Sequence, residues 1–121
     1  VHRFSAKLLF QFRVDINGDP GKRRLCEERI VVFQAKNAHI ALKMSQRRGK
    51  HAEYSYSNDD GNTVYFEFIG IMDLLELGIE CDDDEVWYDI RERMLPMESR
   101  EKLIPPAAEL NAIRNVPKKR G

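Results

Sequence analysis

Three histidines (His2, His39, His51) and two cysteines (Cys26, Cys81) are the side chains with which this chain could hold a metal or build a nucleophile. None falls in a CxxC, HxxxH or HExxH spacing, the patterns that bring two ligands of one element onto one ion. No metal and no cofactor is expected. The run Asp82-Asp83-Asp84-Glu85 reads as a solvated acidic loop. Neither cysteine sits in a local catalytic signature, and two thiols are no disulfide framework, so both read as reduced. Glu27 and Glu28 are consecutive on a predicted strand and point to opposite faces, which removes them as a general acid/base pair. One of the two must face inward, where it needs Arg29 or another base beside it. A rim ion pair is the expected arrangement, and the sequence leans away from an enzyme.

Binding chemistry has more to work with. Lys22-Arg23-Arg24 and the set Arg47, Arg48 and Lys50 are basic clusters that could meet phosphate groups, and Lys118-Lys119-Arg120 is a third. Against a nucleic-acid partner stand a formal net charge of zero and a pI near 7.0. The zero hides a segregation. Residues 1–50 hold 12 basic and 4 acidic side chains, residues 51–90 hold no Lys or Arg and 12 acidic ones, and residues 91–121 hold 8 basic and 4 acidic ones. Such a pattern either pairs across neighbouring strands or leaves a two-signed surface that steers a charged partner. Tyr54, Tyr56, Tyr65 and Trp87 are the aromatics suited to an interface, since they bury area while keeping a polar tip.

The elements that must position these groups follow from periodicity. From Phe4 to Ile16 every second residue is apolar (Phe4, Ala6, Leu8, Phe10, Phe12, Val14, Ile16), and only Leu9 breaks the polar set between them. That is a long strand with one face in a core. Asn17-Gly18 and Pro20-Gly21 are turn formers, so a hairpin with a charged loop leads to a second strand over roughly Leu25–Lys36. Asn37 is an N-cap for a helix running to about Ala52, with Ala41, Ser45, Gly49 and Ala52 on a face of small residues. Gly49 is expected to weaken its last turn or end it early.

Tyr54-Ser55-Tyr56 reads as the approach to a turn at Asn58–Asn62, and a third strand starts near Thr63. Val64, Phe66, Phe68 and Met72 mark its buried face, with Tyr65, Glu67, Ile69 and Ile71 opposite; Gly70 suggests a bulge or a close backbone approach. Glu85 to about Met94 reads as the fourth strand. A tail follows, with a short segment at Ser99–Leu103 and a helix over about 106–115 entered at Pro106.

The predicted fold is α+β, in the order β-β-α-β-β: a four-stranded, mostly antiparallel sheet over residues 1–94 with one helix on one face, and a helical tail over 95–121. One helix cannot cover strands this long. The other face keeps Leu9, Tyr65, Ile69, Ile71 and Trp87, so a homodimer or the tail is expected there. No apolar run approaches the ~20 residues of a membrane helix and no secretory pattern opens the chain, so a cytoplasmic protein is expected.

The strings Phe4-Ser5-Ala6-Lys7-Leu8-Leu9-Phe10, Glu27-Glu28-Arg29-Ile30-Val31-Val32-Phe33, Tyr54–Gly61, Phe68–Leu74 and Glu85-Val86-Trp87-Tyr88 resemble a family of small bacterial proteins catalogued as domain of unknown function 4288. The resemblance spans about residues 3–94. It implies a bacterial, single-domain protein and supplies no activity. Its recurrent positions nominate Glu28, Arg29, Tyr56, Asp73 and Trp87 as binding residues, with Gly61 in the same strings. The function read from the sequence is a non-enzymatic interaction module of accessory or immunity type, binding itself or a charged protein. The alternatives are a nucleic-acid binder using Lys22, Arg23, Arg24, Arg47, Arg48 and Lys50, and a ligand binder or enzyme with a pocket near Glu28, Arg29 and Tyr56.

Overall fold

A computed structural model of the chain describes residues 2–114. Lys118-Lys119-Arg120 and Asn115 lie outside the described residues. Two compact units are resolved, Val1–Tyr88 and Asp89–Gly121.

The first unit is the expected sheet and helix. Strand β1 (His2–Asp15) is central, with β2 (Leu25–Ala35) on one side and β4 (Thr63–Leu77) on the other; the order is β2-β1-β4-β3 and every pairing is antiparallel. Alternation along β1 does what its sequence demands. Phe4, Ala6, Leu8 and Phe10 are buried on the side of the helix α1 (Ala38–His51), with Phe12 half-buried beyond them. Val31, Phe33 and Ala35 from β2, and Val64, Phe66, Phe68, Ile71 and Leu74 from β4, complete that core. The β1–β2 turn is closed by an Ile16–Asp19 bridge with Asn17 at φ +52° and Gly18 at φ +80°, the doubly left-handed pattern that Asn-Gly supplies at low cost.

Helix α1 begins as read. The Asn37 side chain accepts the Ile40 N–H at 2.9 Å, satisfying one of the orphan donors of the first turn. Ala41, Ser45 and Gly49 are buried against the sheet. Gly49 does not end the helix early, which continues to His51. A Cβ added at Gly49 would lie 2.4 Å from the Phe68 ring, so the glycine sets how closely helix and sheet approach.

Two readings need correction. The strand expected over Glu85–Met94 is absent, and the fourth strand of the order is β3 (Tyr54–Ser57). Asn58 explains why. Its carboxamide oxygen accepts from the N–H groups of Asp60 and Asn62, and Gly61 sits at φ +79°, which folds Tyr54–Ser57 back onto Phe66–Thr63 and fills that edge of β4. The segment after β4 lies instead on the sheet's outer face, where the Ser5 hydroxyl donates to the Val86 carbonyl and Trp87 packs against the cluster of Leu75, Leu77 and Cys81.

The second correction concerns the faces of β4. Lys7 stands opposite Asp73, Leu8 opposite Ile71, Leu9 opposite Gly70 and Phe10 opposite Phe68, so Met72 and Ile69 are both unmatched by a residue of β1. The first bulge, at Ile69, flips the parity of the strand and the second, at Met72, restores it, so the faces are exchanged only between them. Ile71 therefore joins the helix-side core while Met72 and Ile69 are half-exposed. Gly70 marks the bulged stretch, and no backbone approaches it closely, since an added Cβ would meet nothing within 4 Å.

In the second unit the expected tail helix is split. A short helix α2 (Arg100–Leu103) precedes a 3-10 turn at Ala107–Glu109, with Pro106 at its start, and a single-turn helix α3 (Asn111–Arg114). No helix among the described residues is long and apolar enough to cross a membrane.

Candidate functional site

The helix covers only part of its face of the sheet. It reaches Phe68 through Gly49, and beyond that point the strands run on without it. Side chains that share the face by strand parity gather there: Phe10, Phe12 and Val14 from β1, Leu25, Glu27 and Arg29 from β2, Phe66 and Val64 from β4, Tyr54 and Tyr56 from β3. The Arg29 guanidinium lies over the Phe10 ring at 4.7 Å and over the Phe66 ring at 5.6 Å. Glu27 accepts from its Nε at 2.6 Å and fixes it there. The cation thus roofs two phenyl rings that stack at 4.6 Å, replacing the helix as their cover. Tyr54 leans on Phe66 with centroids 5.0 Å apart, and Tyr56 stacks beside it at 6.0 Å.

Beyond Arg29 the surface is open and apolar. Leu25 is 78% exposed, Tyr54 52% and Tyr56 47%. Leu25 and Tyr56 rim a depression of about 360 Å³ floored by Phe12, Val14 and Val64. Phe12, Val14 and Leu25 also line a second hollow, about 470 Å³, under the β1–β2 loop with Ile16, Pro20 and Arg23. The two form one apolar region at the open end of the sheet. Lys22 and Arg23 stand exposed on the loop, with no ion pair among the described residues.

The structure sorts the nominated residues onto two faces. Arg29 and Tyr56 belong to this open end. Glu28 faces the other way and pairs with Lys7 at 3.3 Å, so the carboxylate beside Arg29 is Glu27. Trp87 lies on the same outer side, with Lys7 Nζ 5.7 Å from its ring centre, and Asp73 stands opposite Lys7 in the register. Lys7 is the residue missed from the sequence. It is 9% exposed, and its place among the polar residues of β1 gave no sign that a later segment folds over it. Gly61 is a turn residue with positive φ and has no part in either group.

The six basic candidates are also divided. Arg24 donates to the Gln11 side chain at 3.1 Å and to the Gly21 carbonyl at 2.9 Å, which ties it to the outer face. Lys50 pairs with Glu53 at 3.8 Å, and that carboxylate also accepts the Phe68 N–H at 2.9 Å, blunting the free edge of β4. Arg47 and Arg48 project from the exposed side of α1.

The outer face carries the strongest electrostatic arrangement. Arg13 grips Glu67 through two bonds, Nε to Oε1 at 2.9 Å and Nη2 to Oε2 at 2.8 Å, and Gln11 adds a third at 2.9 Å. Arg13 also stacks on Tyr65 at 4.4 Å. This pairing is the cross-strand meeting of basic and acidic segments that the charge pattern allowed. The Arg13 hydrogen bonds hold the Glu67 carboxyl down at about 2, against an ordinary 4.5. A depressed carboxyl stabilises the fold fully above its unfolded value, and that contribution is lost as pH falls through the folded one. The unfolding midpoint should therefore decline between about pH 4.5 and 2, and Glu67→Gln should flatten that decline. Urea titrations at pH 7, 5 and 3 check it; an unchanged slope in the variant would contradict the assignment.

The two thiols are free and unlike. Cys26 is exposed, whereas Cys81 is buried under Trp87. Burial first, then Glu85, Glu80 and Asp82, push the Cys81 thiol up. Iodoacetamide at pH 8 should alkylate Cys26 well before Cys81, since the thiolate is the reacting form. Peptide mass spectrometry over a time course reads the order, and simultaneous labelling would be the contrary result.

The molecule is a small α+β domain whose sheet is half-roofed by one helix and partly covered on its outer side by Val86 and Trp87, with Ile30 and Val32 exposed there. A model of the domain of unknown function DUF4288 matches residues 3–87, so the chain belongs to that family. The matched span ends at Trp87, next to the boundary of the first compact unit at Tyr88, so the segment that covers Lys7 lies within the family's domain. No curated protein and no solved structure matches the chain.

Proposed function

We propose that this domain is a non-enzymatic protein-interaction module and that the open end of its helix-side face is the docking surface. The observation that carries the reading is the exposure of Leu25 and Tyr56 around a concave floor continuous with the core, with the exposed Tyr54 stacked beside Tyr56. Large apolar and tyrosine side chains grouped around a depression are what protein partners bury at the centre of an interface. The chemistry suggests a partner segment with apolar side chains for the hollow and acidic ones for Lys22 and Arg23. Arg29, already neutralised by Glu27, serves as a flat wall more than as a charge.

Capture from a lysate with the wild-type domain, with a Leu25→Asp/Tyr56→Asp variant and with an outer-face Ile30→Asp variant tests this. A protein held by the wild type and by Ile30→Asp, and released by the double change, supports the reading. Equal recovery on all three baits overturns it. Concentration-dependent sedimentation of the wild type, abolished by the double change, would identify a second copy of the chain as the occupant.

A further inference from the structure

A second concavity lies apart from the docking end, between α1 and the edge strand β2. Small residues draw the helix down over β1 and β4, and it touches β2 only slightly. The gap that remains is a groove of about 350 Å³ lined by Phe33, Met44, Ser45, Arg47, Arg48 and His51. Met44, Arg47, Arg48 and His51 are three or four residues apart and so form one flank of the helix. Phe33 from β2 supplies an apolar floor, and Met44, 38% exposed, an apolar wall.

The cations of this groove differ from the three arginines that are tied down on the sheet and its loop. Arg13 and Arg29 each have a carboxylate partner, and Arg24 has two oxygen acceptors. Among the described residues, Arg47, Arg48 and His51 have neither an acidic partner nor a side-chain hydrogen bond. The negative end of the helix dipole favours cations there, which accounts for their sign. It does not account for two guanidinium groups beside an apolar hollow.

We infer that this groove binds a small amphipathic anion: a carboxylate or phosphate group held by Arg47, Arg48 and His51, on an aliphatic or aromatic body seated against Phe33 and Met44. The volume is at the lower end of small-molecule sites, which suits a single headgroup with a short body. It does not suit a nucleic-acid backbone, whose affinity grows with the number of phosphates met along a track. The inference is independent of the docking end, with which the groove shares no lining residue.

The test is a nitrogen-15 correlation titration of the full chain with octanoate, octyl phosphate, inorganic phosphate and a short single-stranded oligonucleotide, at constant ionic strength. Saturable shifts confined to Phe33 and residues 44–51 are expected with one or both amphiphiles, and the stronger of the two identifies the headgroup. Arg47→Gln/Arg48→Gln should weaken that binding by at least about tenfold, since a charge-assisted hydrogen bond is lost at an exposed position where folding is not at stake. Unshifted peaks in the rest of the variant's spectrum confirm its fold. Absence of saturation with both amphiphiles, equal affinity in the variant, or equal shifts with inorganic phosphate or the oligonucleotide would overturn the inference.

Discussion

Replacing Gly49 by alanine should destabilise the domain, although the change usually favours a helix. In an unconstrained helix interior the substitution gains about 1 kcal/mol from backbone entropy. Here the new methyl would lie 2.4 Å from two carbons of the Phe68 ring and 2.6 Å from a third. Phe68 has little room to yield, because its ring packs on Phe10 with centroids 5.6 Å apart. Either the ring leaves its rotamer or the helix lifts from the sheet, and overpacking of this kind costs about 1–3 kcal/mol net. For a unit of this size, ~1 kcal/mol moves the thermal midpoint by about 4–8 °C. Calorimetry or urea titration reads the change. A midpoint that rises would mean that the helix sits farther from the sheet than described.

The second large effect separates residues that hold the fold from those that present its surface. Phe10→Ala should cost about 3–5 kcal/mol, the range for a buried phenyl removed from a core. Phe10 is fully buried, stacks on Phe66 and carries Arg29 above it, so truncation leaves a cavity and strands the guanidinium over one ring. Leu25→Ala, on the same face but 78% exposed, should change stability by less than about 0.5 kcal/mol. Paired urea titrations give both numbers. A large loss on truncating Leu25 would show that the open end is part of the core and unavailable to a partner.

Much of this architecture was legible in the sequence where one local rule acts alone. The alternation of β1 names its core residues, Asn17-Gly18 and Asn58–Gly61 name their turns, and Asn37 names the start of α1. Legibility failed where two rules competed. The segment around Val86, Tyr88 and Ile90 alternates like a strand, but the edge of β4 that it would join is taken by the much shorter Tyr54–Ser57, brought back by the Asn58 turn. A four-residue strand gives too few residues for periodicity to register. Past Phe68, one bulge exchanges the faces of β4 and a second restores them by Leu74, and Gly70 was the single sign of them.

The candidate site shows the same division. Strand parity shows that Glu27 and Glu28 diverge and that the inward one needs Arg29 or another base beside it. The register settles which one, and it places Glu28 with Lys7 on the far side. That Arg29 serves as a roof over Phe10 and Phe66 depends on where the helix stops, which no residue near Arg29 encodes.

The central claim is that a partner protein occupies the open end of the helix-side face. The most direct measurement is photocrosslinking in cells from p-benzoylphenylalanine placed at Tyr56, with the same residue at Met72, exposed on the β4 bulge, as the control position. The account predicts a discrete protein adduct from position 56 and none from position 72. No adduct from 56, or the same adduct from both positions, would contradict it.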